Sequence, residues 1–283
     1  MRAVLVLLLG CTTALYASDQ TLTQAEQRYQ RTDYEGSLSL LNKQSDNAGA
    51  SFLIGRNYFM LGDLKQANDY LQKAIAAAPA NSEYMDWLGK IYGKRAETSN
   101  PLLAPGLASK ARQAFERSVE LNPKNSEALA DLFDYYLEAP GFLGGGYEKA
   151  YGVAQKLAVV DPPEGHFAKA KLAQKHKEFS NAEMHFRQAI AMAPHAVGYK
   201  IAFARFLAKH DRNRESDEVF LAAQKAHPDA PELWFARADT LINQKRDLAE
   251  AKSLLEKYMH AQITVDDPPK EQALRLLKQV GGA

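Results

Sequence analysis

Phe179–Pro194, FSNAEMHFRQAIAMAP, is a pattern that returns 34 residues further on: Phe186, Ala189 and Pro194 are matched by Phe220, Ala223 and Pro228, and Ala182 by Ser216. Its last ten residues form a cassette that closes four other segments as well. The five copies align without gaps: YLQKAIAAAP (Tyr70–Pro79), AFERSVELNP (Ala114–Pro123), VAQKLAVVDP (Val153–Pro162), HFRQAIAMAP (His185–Pro194) and VFLAAQKAHP (Val219–Pro228). A supersecondary unit recurring at this period marks a solenoid, because one unit cannot bury its own apolar face and needs its neighbours to do so.

Within a unit, apolar residues three and four apart make two amphipathic helices. Phe52, Ile54, Tyr58 and Leu61 form the first, Leu64, Ala67, Leu71 and Ala74 the second, with Gly62-Asp63 between them. Proline stops each second helix because it has no N–H and clashes with the preceding turn. Small residues recur where the helices cross: Gly55, Gly89, Ala170 and Ala204 in the first helices, Ala67, Ala111, Ala150, Ala182 and Ser216 in the second. With these residues the chain resembles the tetratricopeptide repeat, a helix-turn-helix whose small residues let paired helices approach closely. The resemblance implies an all-α, right-handed α-solenoid of about seven helical hairpins, followed by a C-terminal capping helix.

The chain has 283 residues, 46% of them hydrophobic and 24% charged, ample apolar material for a core. Residues 1–17 differ in kind. Arg2, the run AVLVLLLG and a small-residue exit read as a secretory leader, too short to span a membrane. Two processing routes stay open: lipidation at Cys11, within the lipobox-like Leu8-Leu9-Gly10-Cys11, or cleavage after Ala17. Either implies export from a bacterial cytoplasm. Cys11 is the only cysteine, so no disulfide can form within one chain. Without Arg2, 34 basic residues balance 34 acidic ones, which argues against nucleic acid as a partner and leaves an N-terminal lipid as the only predicted route to a membrane.

The repeats extend over 18–262, with a degenerate first unit that carries Ser37 in the small position; 263–283 is a linker and capping helix. Unit three has ten residues more than the regular period, in AETSNPLLAPGLAS, and unit four has an insertion in EAPGFLGGGYEKA. Unit four also places Phe133 where the others have glycine or alanine, which predicts a splayed hairpin. The sequence around Asp266-Asp267-Pro268-Pro269 predicts an aspartate-capped helix over KEQALRLLKQV.

Metalloprotease, nucleophile-elbow, phosphate-loop and dinucleotide motifs are all missing from the sequence. Gly144-Gly145-Gly146 lacks the lysine and hydroxyl residue of a phosphate loop and reads as a turn. The seven histidines show no metal-ligand spacing. No cofactor, metal or catalytic residue is therefore expected.

Two surfaces are candidates for a protein or peptide partner. The near-copies Ala104-Pro105-Gly106-Leu107 and Ala139-Pro140-Gly141-Phe142 fall between the helices of adjacent units, so they are expected on one edge. That edge would consist of Leu103, Pro105, Leu107, Pro140, Phe142, Gly144, Gly145 and Gly146, either packed on itself or exposed as a recognition ledge. The other surface, implied by the family resemblance, is the concave face made by the first helices: Phe52, Arg56, Phe59, Lys90, Lys94, Phe167, Lys171, Ile201, Arg205 and Phe235. Aromatics and cations interleaved this way suit an extended acidic peptide. The family's chaperone-binding subtype uses a lysine and asparagine pair, and this chain has Phe52 with Arg56 and Asp86 with Lys90 at the corresponding places. The expected function is a non-catalytic interaction scaffold. The alternative is a solute-binding or transport-accessory protein, with a small-molecule pocket enclosed by Phe133, Tyr135, Tyr136 and Phe142.

Overall fold

The computed structural model describes residues 20–41 and 47–281. The leader segment, with Cys11 and Ala17, lies outside the described residues. Helix α1 spans 20–30. It is followed by α2 (Tyr34–Leu41), α3 (Ala48–Met60), α4 (Leu64–Ala77), α5 (Ser82–Thr98), α6 (Ala104–Leu121), α7 (Ser126–Glu138) and α8 (Tyr147–Val160). Then come α9 (Pro162–Lys175), α10 (Phe179–Met192), α11 (Val197–Lys209), α12 (Asn213–Ala226), α13 (Pro231–Asn243), α14 (Leu248–His260) and α15 (Lys270–Gly281). Among the described residues α3 packs with α4, α5 with α6, α9 with α10, α11 with α12 and α13 with α14, and α15 packs on α14. No strand occurs among the described residues, and none of their helices is long and apolar enough to cross a membrane. The chain divides into two compact units, up to Ala150 and from Tyr151 onward.

In the first unit the small residues are required by distance. A Cβ on Gly55 of α3 would lie 2.1 Å from Leu71 Cδ2 of α4, and one on Gly89 of α5 would lie 2.5 Å from the Phe115 ring of α6. Ala67 and Ala111 are fully buried at the facing positions. Asn47, Asp63, Asn81 and Asn125 cap α3, α4, α5 and α7, each side chain accepting from a backbone N–H of the first helical turn. Ser37 also does more than save space: it is buried, and its Oγ accepts a 3.0 Å hydrogen bond from Asn57 Nδ2.

The ten extra residues of unit three are not a loop. Eight of them lengthen the helices, so that α5 has 17 residues and α6 has 18, against 13 and 14 for α3 and α4, and the other two fall in the turn between α5 and α6. Pro105 sits in the first turn of α6, where its missing N–H costs nothing. In unit four the Ala-Pro-Gly segment becomes a single 3-10 turn, Gly141–Leu143, that packs against α6.

In the second unit, Ala170, Ala182, Ala204 and Ala238 have no exposed surface, and the Phe186, Phe203 and Phe206 rings pack in one cluster with Ala170 and Ala182. One turn joins the paired helices here. Lys177, Asp211 and Lys245 take left-handed φ values of 62°, 59° and 51° at successive repeats. The following amide bonds back five residues each time: Glu178 to Ala173, Arg212 to Leu207 and Arg246 to Leu241. In the first unit Gly62 makes the same turn at φ 81°. Helix α15 covers α13 and α14, with Ala273 buried against Phe235, Leu255 and Tyr258. It starts after Pro268-Pro269, and the aspartate predicted as its cap has another role: Asp267 accepts from the Thr264 N–H at 2.8 Å and stabilises the preceding turn.

Candidate interaction surface

In the first unit, α1, α3, α5 and α7 bring the predicted groove cations together with carboxylates. Arg56 lies over Tyr29 (4.2 Å), Trp87 (5.1 Å) and Phe52 (5.4 Å) and pairs with Glu26 at 3.4 Å. Phe52 is only 7% exposed, tilted against the Tyr84 ring with centroids 4.5 Å apart, and Phe59 meets Trp87 edge-on at 5.6 Å. Lys90 is held by three carboxylates: Asp86 at 3.1 Å on its own helix, and Glu127 at 2.5 Å and Asp131 at 3.1 Å on α7. Lys94 pairs with Glu97 at 2.9 Å.

These contacts set the electrostatics. Asp86 is 2% exposed. Burial, reinforced by the neighbouring Asp131 charge and only partly offset by Lys90, pushes its carboxyl up to about 8. Asp131 is raised in the same way by burial, against the pull of Lys90. Burial opposes the charge on Lys90, but the surrounding carboxylates outweigh it and keep its pKa above the ordinary lysine value. Asp86, Glu127 and Asp131 place oxygens within 4.8 Å of one another, a spacing that suits a cation, and the Lys90 ammonium provides that charge. Beside Arg56 lies an open cleft of about 580 Å³, lined by Leu22, Glu26, Arg31, Phe52, Arg56 and Glu83 among others.

The loop edge differs. Leu102 is 93% exposed and Leu103 60%, at the tip of the long α5–α6 hairpin; their amides both donate to Asn100 Oδ1 at 3.1 Å. Pro105 and Pro140 are exposed, Leu107 is half-buried and Phe142 is 82% exposed. The backbone under Phe142 is closely held. Tyr135 Oη donates to the Leu143 carbonyl (2.9 Å), Lys149 Nζ to the Gly144 carbonyl (2.9 Å) and the Gly146 amide to the Tyr136 carbonyl (2.8 Å). Gly144 and Gly146 need positive φ, and a Cβ on Gly145 would lie 1.8 Å from the Ala139 carbonyl oxygen. Phe133 is buried while Phe142 points outward, so these two do not enclose one cavity with Tyr135 and Tyr136.

In the second unit the predicted groove residues separate. Phe167 is half-buried between Phe186 and Tyr199, with Lys171 Nζ 5.5 Å above its ring. Ile201 packs on the core at Ala204 and Leu233, and Arg205 pairs with Asp239 at 3.0 Å. Phe235 is 2% exposed; it contributes to the core under α15 and does not face a groove. Two histidines with no recognisable spacing do meet: His166 of α9 and His185 of α10 have Nδ1 atoms 3.0 Å apart.

Comparison with known proteins agrees with this architecture. Residues 48–81 match the family model described as tetratricopeptide repeat. Among solved structures, a tetratricopeptide repeat protein from Parabacteroides merdae superposes with a TM-score of 0.59 at 16% identity, covering 93% of this chain and 98% of its own. A thermophilic protein of the same repeat class from Thermus thermophilus gives 0.57 at 18% identity, covering 67% and 98%. PilF of Pseudomonas aeruginosa gives 0.54 at 16% identity, covering 79% and 98%. No curated protein matches the sequence.

Proposed function

We propose that this chain, a tetratricopeptide-repeat solenoid with one such repeat at residues 48–81, is a non-catalytic scaffold that docks an apolar segment of a protein partner on its loop edge. The observation that carries the proposal is the contrast in exposure between the two candidate surfaces. Arg56 and Lys90 already have carboxylate and aromatic partners inside the molecule, whereas Leu102 and Phe142 are held out in water. Holding an apolar side chain in solvent on a hydrogen-bonded frame lowers the ordering cost of binding, since that part of the surface is arranged beforehand. The apolar leader at residues 1–17 supports a place in the bacterial periplasm or at a membrane face, and mass determination of the mature N-terminus would separate lipidation at Cys11 from cleavage after Ala17.

The test is affinity capture from envelope extract with wild type, Leu102→Asp and Phe142→Asp. Loss of the captured protein in both variants, with unchanged helicity, is the expected result. Retention by both would refute the ledge. A second reading, an extended peptide in the cleft beside Arg56, has the apolar lining at Leu22 and Phe52 in its favour; Arg31→Glu should then release the partner while Phe142→Asp does not.

A further inference from the structure

We propose that His166 and His185 form a binding site for a divalent copper ion, with the Gln188 side-chain oxygen as a further donor. The two imidazoles come from opposite helices of the α9/α10 hairpin, are half-buried, and have ring centroids 5.2 Å apart. Their Nδ1 atoms lie 3.0 Å apart, and Gln188 Oε1 is 3.1 Å from His185 Nδ1.

That separation selects a geometry. At an imidazole–metal distance of about 2.0–2.1 Å, two nitrogens in adjacent tetragonal positions are about 2.9 Å apart, and two in tetrahedral positions about 3.3 Å. The observed 3.0 Å falls on the tetragonal side. That is the arrangement of copper(II) and nickel(II), and copper stands above nickel and zinc in intrinsic affinity for such ligands. Only one proton can lie between the two Nδ1 atoms. A cation takes that place if each ring keeps its proton on Nε2, and water completes the coordination.

The repeat gives a second argument. His185 opens a cassette whose other copies begin with Tyr70, Ala114, Val153 and Val219, so the packing of the hairpin does not call for an imidazole there. Burial lowers the pKa of both rings, and the nearby Lys169 charge acts in the same direction. Lys169 also opposes an incoming ion and limits its affinity.

The experiment titrates the full chain with Cu2+ at neutral pH, followed by calorimetry and by electron paramagnetic resonance, with Ni2+, Zn2+ and Ca2+ in parallel. Wild type should bind one tight equivalent of Cu2+ with a tetragonal signal split by two nitrogens, and Ca2+ should not compete. His166→Gln and His185→Gln should each weaken that equivalent by at least about tenfold. His176→Gln, a histidine outside the pair, should leave it unchanged, and Lys169→Gln should strengthen it. An identical Cu2+ spectrum and affinity in the folded double variant His166→Gln/His185→Gln would overturn the proposal, as would tighter binding of Zn2+ than of Cu2+.

Discussion

Asp86 of α5 offers the sharpest quantitative test of the packing between first helices. Its carboxyl lies 3.1 Å from Lys90 and next to Asp131, with Glu127 completing the set from α7, and Glu83 and Arg56 are the next charges on the same face. Three carboxylates around one ammonium cannot all be ionised cheaply in a buried site, so Asp86 holds a proton up to about pH 8, whereas its ordinary value is 3.8. A folded-state pKa above the unfolded one means that the native protein binds the extra proton throughout that interval. The stability it confers is complete below the unfolded value and is lost as pH rises to the folded value. One proton over two pH units corresponds to roughly 3 kcal/mol.

Asp86→Asn keeps the shape and polarity of the protonated carboxyl and removes the titration. Relative to wild type, Asp86→Asn should therefore gain about 2–3 kcal/mol between about pH 5.5 and about pH 7.5. Groups that the substitution leaves untouched cancel in the comparison. Urea unfolding monitored by circular dichroism at four pH values measures it. Parallel pH profiles for the two proteins, within about 0.5 kcal/mol, would refute a shared proton at this site and leave Asp86 an ordinary ionised partner of Lys90.

Other outcomes follow from single contacts. Gly89→Ala should destabilise by about 1–3 kcal/mol, because the new methyl meets the edge of the buried Phe115 ring, and thermal melts should show it clearly. Gly62→Ala has free space around it but must keep φ at 81°, and should cost about 1–2 kcal/mol in the same assay. Arg212→Ala should cost about 1–2 kcal/mol at neutral pH. Its hydrogen bonds hold the Glu183 carboxyl down to about 2, so that stability exists above 4.5 and is lost as pH falls toward 2; the variant's acid-unfolding profile should be flatter there. Gly145→Ala drives a methyl into the Ala139 carbonyl, and should weaken capture of the partner by displacing Phe142 while the helical signal is kept.

The sequence made the repeat legible because its signals are local. The cassette prolines, the small residues at 55 and 89 and the capping helix at Ala273 each follow from a spacing or a side-chain size, and each has its predicted packing role. It misled where length alone was the signal. Ten surplus residues look the same whether they make a loop or extend two helices, and in the α5–α6 hairpin eight of them extend the helices because AET and GLASKARQAFE continue a helical pattern on either side of the turn at 99–103. Phe235 shows another limit. Its register matches the groove positions of the other units, but at the end of the repeat array the capping helix covers that face, so the same register is buried.

The groove cations show why a row of aromatic and basic residues does not by itself describe a binding face. Residues about one period apart stand on neighbouring elements of the same layer, so a cation in one repeat meets whatever the next repeat puts at the matching height. Lys90 reaches Glu127, 37 residues on, and Arg56 reaches back 30 residues to Glu26. In the second unit Arg205 meets Asp239 over 34 residues, and Arg212 and Arg246 meet Glu183 and Asp217 over 29. Each pair joins consecutive repeats, where it fixes their register at a modest gain in stability, and a guest would have to displace a carboxylate before using the cation. Leu102 and Phe142 belong to insertions that break the period, and their side chains are left 93% and 82% exposed. That is the physical reason for expecting a partner at the insertions and not along the regular face.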